Sequence, residues 1–97
     1  MAQIIWSPCA IRDLNEICEY IARTSDRYAQ AFARQVVSRL ELLEQFPRLG
    51  WVVPEYKRDD IRERIYHNYR IIYRLRGDTV EVVSIMHGAR LLPPEPP

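Results

Sequence analysis

The stretch from Arg62 to Arg90, RERIYHNYRIIYRLRGDTVEVVSIMHGAR, decides the fold. Arg62 to Tyr66 alternates charged and apolar residues, Tyr69 to Arg76 is rich in Tyr and Ile, and Thr79 to His87 is rich in Val and Ile. These are strand compositions, and His67-Asn68 and Gly77-Asp78 interrupt them as hairpin turns do. Gly77-Asp78 suits a two-residue turn with Gly first. That register sets Arg74 opposite Glu81, Ile72 opposite Val83 and Arg70 opposite Ile85. Arg70, Ile72, Arg74, Val83, Ile85 and His87 then share one face, because directly opposite residues do. Tyr69, Ile71, Tyr73, Leu75, Val80, Val82 and Met86 form the core face.

Two loops suit the first hairpin. A two-residue loop at His67-Asn68 sets Arg64 opposite Ile71, on the core face. A three-residue loop, Tyr66-His67-Asn68, ends in Asn, which tolerates the left-handed conformation such loops require. It sets Arg64 opposite Arg70 and turns Ile65 into the core. A one-residue slip flips every side chain, and burying Ile65 while exposing two arginines is the cheaper choice, so the three-residue loop is expected. The resulting surface carries Arg62, Arg64, Arg70 and Arg74, with His87 at its end. Glu81 offsets Arg74, whereas Arg64 and Arg70 have no partner in this pattern. On this reading, replacing Arg64 and Arg70 together by Ala lowers activity and leaves the fold intact.

Outside this stretch, Gln3 to Trp6 reads as a short strand. Ser7-Pro8 opens a helix, with Ser as cap and Pro at the first helical position. Ile11, Leu14, Ile17 and Ile21 give it an apolar stripe. Thr24-Ser25-Asp26 breaks the pattern and caps a second helix, whose stripe is Phe32, Val36, Leu40 and Leu43 and which stops near Phe46-Pro47. So short a loop makes the two helices antiparallel neighbours, and their stripes read as core. Residues 47–60 form a long connection in which Trp51 is expected to pack inward.

The 97 residues make one domain with a formal net charge of +1, which argues against a generic polyanion binder. The charge is local: residues 57–76 hold seven basic side chains against three acidic ones. All the basic residues except Lys57 are Arg, whose planar fork suits phosphates and carboxylates. Cys9 and Cys18 fall in one helix about 13 Å apart, too far for a disulfide, which suits a reducing compartment. No apolar run reaches transmembrane length, and the N-terminus lacks the pattern of a secretion signal. There is no zinc spacing and no phosphate-binding Gly loop, so neither metal nor cofactor is expected. What remains is arginine plus one histidine. Arg62, Arg64, Arg70 and Arg90 could stabilise a phosphorane, with His87 as acid or base. The same arginines could instead bind acidic side chains of a protein partner.

The chain resembles the RelE/ParE family of bacterial type II toxin–antitoxin toxins, also called plasmid stabilisation proteins. The matching pieces are Trp6-Ser7-Pro8 followed by Asp13-Leu14 and Tyr20-Ile21, Phe46-Pro47 with Gly50, Arg62-Glu63, Tyr69-Arg70-Ile71-Ile72-Tyr73, Gly77-Asp78, and Ile85-Met86-His87-Gly88-Ala89-Arg90. The resemblance implies an α+β fold: a short N-terminal strand, an antiparallel helical hairpin, then a three-stranded antiparallel meander. Residues 1–92 form the toxin domain and 93–97 a frayed proline-rich tail. It implies a cytoplasmic toxin held inactive by a cognate antitoxin, without a membrane role, with a homodimer left open.

Its target, by the same resemblance, is DNA gyrase for ParE-type members and ribosome-bound mRNA for RelE-type ones. Arg70 matches the central arginine of the RelE-type site, Arg62 and Arg64 its paired basic residues, and Arg90 a basic residue after the last strand. RelE-type toxins then carry a tyrosine that stacks on the substrate base, where this chain has Leu-Leu-Pro-Pro-Glu-Pro-Pro. His87 is similar to the histidine of the YoeB-like branch, but the aromatic beside it there is Gly88 here. The regular helical hairpin and the Phe46-Pro47-x-x-Gly50 connection resemble ParE more. The expected function is therefore ParE-like inhibition of gyrase without catalytic residues, through a target- or antitoxin-binding surface of Arg62, Arg64, Arg70, Arg74 and Arg90. The alternative is a metal-independent, RelE-like endoribonuclease using Arg62, Arg64, Arg70, His87 and Arg90.

Overall fold

A computed structural model describes residues 1–96; the part of the expected frayed tail that falls on Pro97 lies outside them. In chain order come β1 (Gln3–Trp6), α1 (Pro8–Ala22), α2 (Asp26–Glu41), a 3-10 turn (Leu42–Glu44), β2 (Trp51–Val52), β3 (Ile61–Tyr66), β4 (Tyr69–Arg76) and β5 (Thr79–His87). Ser7 caps α1 by accepting from the Ala10 N–H at 3.0 Å, and Ser25 caps α2 by accepting from the Tyr28 N–H at 3.2 Å. Each satisfies a helix-end donor that has no partner within the helix. The sheet runs β1-β5-β4-β3-β2. β1 lies parallel to β5, and the other pairs are antiparallel. The α+β architecture is the expected one. β2 is an addition, formed inside the connection read as irregular.

The first hairpin corrects the sequence reading. Tyr66 pairs with Tyr69, Ile65 with Arg70, Arg64 with Ile71 and Arg62 with Tyr73. The loop is therefore the two-residue one, with His67 at φ 52°. Arg64 does not face Arg70, and Ile65 stays half exposed on the Arg70 side. The physical reason is that charge is handled by partners and not by exposure. Carboxylates meet Arg70 on its own face, while Arg62 and Arg64 reach backbone carbonyls on the other.

The second hairpin keeps its expected turn at Gly77-Asp78, with Arg74 opposite Glu81. Beyond that pair the register shifts: Tyr73 faces Val82 and Ile72 faces Ser84, which leaves Val83 as an extra residue, a β-bulge. The expected pairs Ile72–Val83 and Arg70–Ile85 become Ile72–Ser84 and Arg70–Met86. Ile85 thus turns to the helices, Met86 leaves them, and His87 comes opposite Tyr69. Asp13 of α1 occupies the bulge. Its carboxylate accepts from the Ile85 N–H and the Ser84 hydroxyl, both at 3.0 Å, so a donor the bulge takes out of the ladder is satisfied.

Two apolar layers result. Between the helices and the sheet lie Phe32, Val36, Leu40, Leu43, Ile71, Tyr73, Val80, Val82 and Ile85, with Leu14, Ile17 and Ile21 partly buried against them. Ile11 lies outside this core, half exposed. On the other face, Val53, Ile61, Ile72, Val83 and Met86 pack together with Tyr56 and Leu92. Gly50 sits where a Cβ would come within 2.5 Å of the Tyr73 hydroxyl and 2.6 Å of the Glu63 carbonyl. Its N–H donates to that hydroxyl, which donates in turn to the Pro47 carbonyl. Trp51, expected inside, is 75% exposed, because its strand has no layer above it.

Leu40 is 1% exposed at the centre of the helical core. Leu40→Ala is expected to cost about 2–5 kcal/mol, and Leu14→Ala less, since Leu14 is only partly buried. Urea midpoints of the two variants test the order.

Candidate partner-binding surface

The arginines singled out by the sequence do not gather on one face. Alternation along β3 and the two-residue turn put Arg62 and Arg64 on one side of the sheet and Arg70 and Arg74 on the other.

Arg70 is 9% exposed and lies between two carboxylates. Its Nε and Nη2 donate to Glu63, itself 6% exposed. Its Nη1 and Nη2 reach the two oxygens of Glu55 at 2.7 and 2.8 Å. These bonds from Glu55 and then Glu63 hold the guanidinium charged and raise its pKa. The bond from Arg70 holds the Glu55 carboxyl below its ordinary value. Arg70 therefore has its donors engaged, with two negative charges against its one. The sequence reading left it unpartnered. Glu63 could have been found from the two-residue register, which sets it diagonal to Arg70 across the strands. Glu55 comes from the connection between β2 and β3 and gives no signal in sequence.

Arg62 fastens that connection. It donates to the carbonyls of Asp59, Arg48 and Gly50 at 2.9–3.1 Å and pairs with the Asp59 carboxylate at 2.7 Å. Arg48 pairs with the same carboxylate. Hydrogen bonds from Arg48, then Arg62, lower the Asp59 pKa. Arg64 donates to the Arg39 carbonyl near the end of α2 at 3.2 Å. Arg74 lies 3.8 Å from Glu81, as the sequence pattern implied. Arg90 is exposed, beyond the last strand.

Three depressions meet around Tyr69. The largest, about 510 Å³, has Arg70, Glu55 and Glu63 in its wall together with His67, Asn68 and His87. A second, about 280 Å³, includes Asp13, Glu16, Tyr20, His87 and Arg90. A third, about 270 Å³, is bounded by Ile21, Tyr28, Phe32 and Tyr66. The Tyr69 ring meets Phe32 edge-on at 5.1 Å and His87 at 5.5 Å. His87 accepts from the Ala89 N–H at 3.1 Å through Nδ1, which orients its ring without a carboxylate. Chemically this end of the molecule is an aromatic, mixed-charge surface suited to a polypeptide. Among the described residues, no group of three or more His, Cys, Asp or Glu side chains is placed to hold a metal ion. Among the same residues, no helix is long and apolar enough to cross a membrane.

This fold, together with the sequence, places the chain in a defined class. Residues 4–92 match the family model described as ParE toxin of type II toxin-antitoxin system, parDE. The chain is 31% identical over 91 residues to "Toxin RelE2" of Caulobacter vibrioides, spanning 94% of this chain and 100% of that relative. Its fold matches a solved structure described as "Chromosomal ParDE TA system from P. aeruginosa", with a TM-score of 0.73 and 19% identity over 90% of this chain and 96% of that one. The chain belongs to the ParE toxin family. It is the toxin component of a type II toxin–antitoxin system, and membership implies a cognate antitoxin as partner.

Two predictions follow from the ion pairs. Arg70→Ala leaves Glu63 buried without its cation and is expected to cost about 3–5 kcal/mol of stability. Arg64→Ala removes one partly exposed bond and costs about 1 kcal/mol; chemical denaturation of both variants measures the contrast. The second concerns pH. Glu55 has a folded-state pKa below its ordinary 4.5. The folded protein therefore binds fewer protons than the unfolded chain in that range, and stability falls as pH drops from about 4.5 through the lowered value. Glu55→Gln should flatten part of that slope in thermal melts at successive pH values; Asp59 and Asp60, also lowered by arginine partners, keep the rest.

Proposed function

We propose that this toxin acts as ParE-like toxins are expected to, by binding DNA gyrase in the cytoplasm, and that it is not a nuclease. The observation that carries the reading is the state of Arg70. A phosphoryl-transfer site needs cations free to meet the developing negative charge. Here the central arginine is held by Glu55 and Glu63, and Arg62 and Arg64 lie on the opposite side of the sheet. Residues 91–97, Leu-Leu-Pro-Pro-Glu-Pro-Pro, also offer no aromatic ring to stack on a base.

In this proposal the sequence-derived binding residues divide by task. Arg64 and Arg90 contact target or antitoxin, while Arg62, Arg70 and Arg74 hold the scaffold that presents them. The second reading, a ribosome-dependent mRNA endoribonuclease, draws on the depression where His67, His87 and Arg70 come together.

Supercoiling by purified gyrase and translation by a ribosome-containing extract, assayed side by side with the purified toxin, separate the two. Loss of supercoiling with mRNA left intact is the expected outcome. Codon-positioned mRNA cleavage that is abolished by His87→Ala, in a protein still folded, would falsify the gyrase reading.

A further inference from the structure

β1 is an uncapped edge of the sheet. The Gln3 N–H donates to the Asp78 carbonyl at 2.8 Å and the Ser7 N–H to the Val82 carbonyl at 2.9 Å. Along a strand, alternate residues address the same neighbour. Gln3, Ile5 and Ser7 therefore turn their backbone groups toward β5, and Ala2, Ile4 and Trp6 turn theirs outward. The Ala2 N–H is met by the Glu44 carbonyl at 2.7 Å. Among the described residues, no backbone group from outside the sheet reaches Ile4 or Trp6.

Edges of this kind are ordinarily blunted by charge, proline, a bulge or shortness. β2, at the far edge, is two residues long. β1, at four residues, is short as well, but it has none of the other devices: it reads Gln-Ile-Ile-Trp, without a charge, a proline or a register break. Ile5 at its middle is 44% exposed, on the side away from the helices.

We propose that this edge joins two copies of the chain, β1 against β1 and antiparallel, about a two-fold axis at Ile5. The outward residues fix that register. Ile4 and Trp6 are the two outward-facing positions left open, and they stand symmetrically about Ile5. A two-fold there sets Ile4 opposite Trp6 of the other copy and Trp6 opposite its Ile4, so both pairs exchange N–H···O=C bonds. Ile5 then meets its own copy at the central position without hydrogen bonds, where facing side chains come closest. Neither strand has a charge, so nothing repels on self-pairing and nothing in the edge selects a charged peptide. The sheet becomes continuous across the pair. With so short a contact the dimer depends on concentration. The inference concerns the free toxin and is independent of its target.

The test is the mass of the purified toxin, by sedimentation and light scattering, over a rising concentration series. Wild type should climb toward twice the chain mass. Ile5→Lys, at a half-exposed position, should stay monomeric with an unchanged circular dichroism spectrum. Mixing Ile5→Lys with Ile5→Glu should restore the doubled mass, since the two-fold brings those side chains face to face. Hydrogen exchange at the Ile4 and Trp6 amides should slow as wild-type concentration rises. The proposal is overturned if wild type stays monomeric throughout, if Ile5→Lys dimerises as wild type does, or if the charge-matched mixture fails to pair. It is also overturned if those amides slow only when the antitoxin is added, which would assign the edge to that partner instead.

Discussion

Arg70 in its cage of Glu55 and Glu63 is the interaction on which the rest of this structure turns. A guanidinium that is 9% exposed is tolerable only with its donors engaged and its charge met. Both conditions hold because β3 and β4 are joined by a two-residue turn, which brings Glu63 alongside Arg70 on one face. The same pairing draws Glu55, and with it the chain after β2, down onto the sheet. The second apolar layer under Val53 and Tyr56 is closed in this way. One hairpin register therefore fixes the surface on which a nuclease of this fold would be sought, and fills it with an ion-paired cluster.

The bulge at Val83 plays the corresponding part on the helical side. Without it, Ile85 would leave the helix-facing layer and Met86 would enter it. With it, Ile85 closes the core beside Phe32 and Tyr69, and Asp13 supplies the acceptor that the interrupted ladder lacks. The aromatic cluster of Phe32, Tyr66, Tyr69 and His87 depends on both devices. The turn places Tyr66 opposite Tyr69, and the bulge places His87 there on the other flank. The depressions meeting at Tyr69 are thus a consequence of two local departures from a regular meander.

Much was legible in the sequence because it was local. Ser7-Pro8 and Ser25 announced the helix starts through the chemistry of their caps, and the stripe through Phe32, Val36, Leu40 and Leu43 marked the face that is buried. Gly77-Asp78 announced the second turn and, with it, the facing of Arg74 and Glu81. Short motifs in order along the chain were enough to indicate the toxin family, since they record local chemistry at fixed spacing.

What the sequence could not decide was which face each arginine takes. The two loops at His67-Asn68 differ by one residue and by the fate of Ile65, and local cost favours burying Ile65. The outcome rests instead on partners far along the chain: Glu55 for Arg70, the carbonyls of Arg48 and Gly50 for Arg62, and that of Arg39 for Arg64. The bulge has the same character, since its acceptor Asp13 lies 72 residues from the donor Ile85. Helix caps, turns and apolar periodicity are written in neighbouring residues, and the sequence by itself determined them. Register, charge pairing and the sign of the exposed surface are settled by contacts between distant segments, and only the tertiary structure decided those.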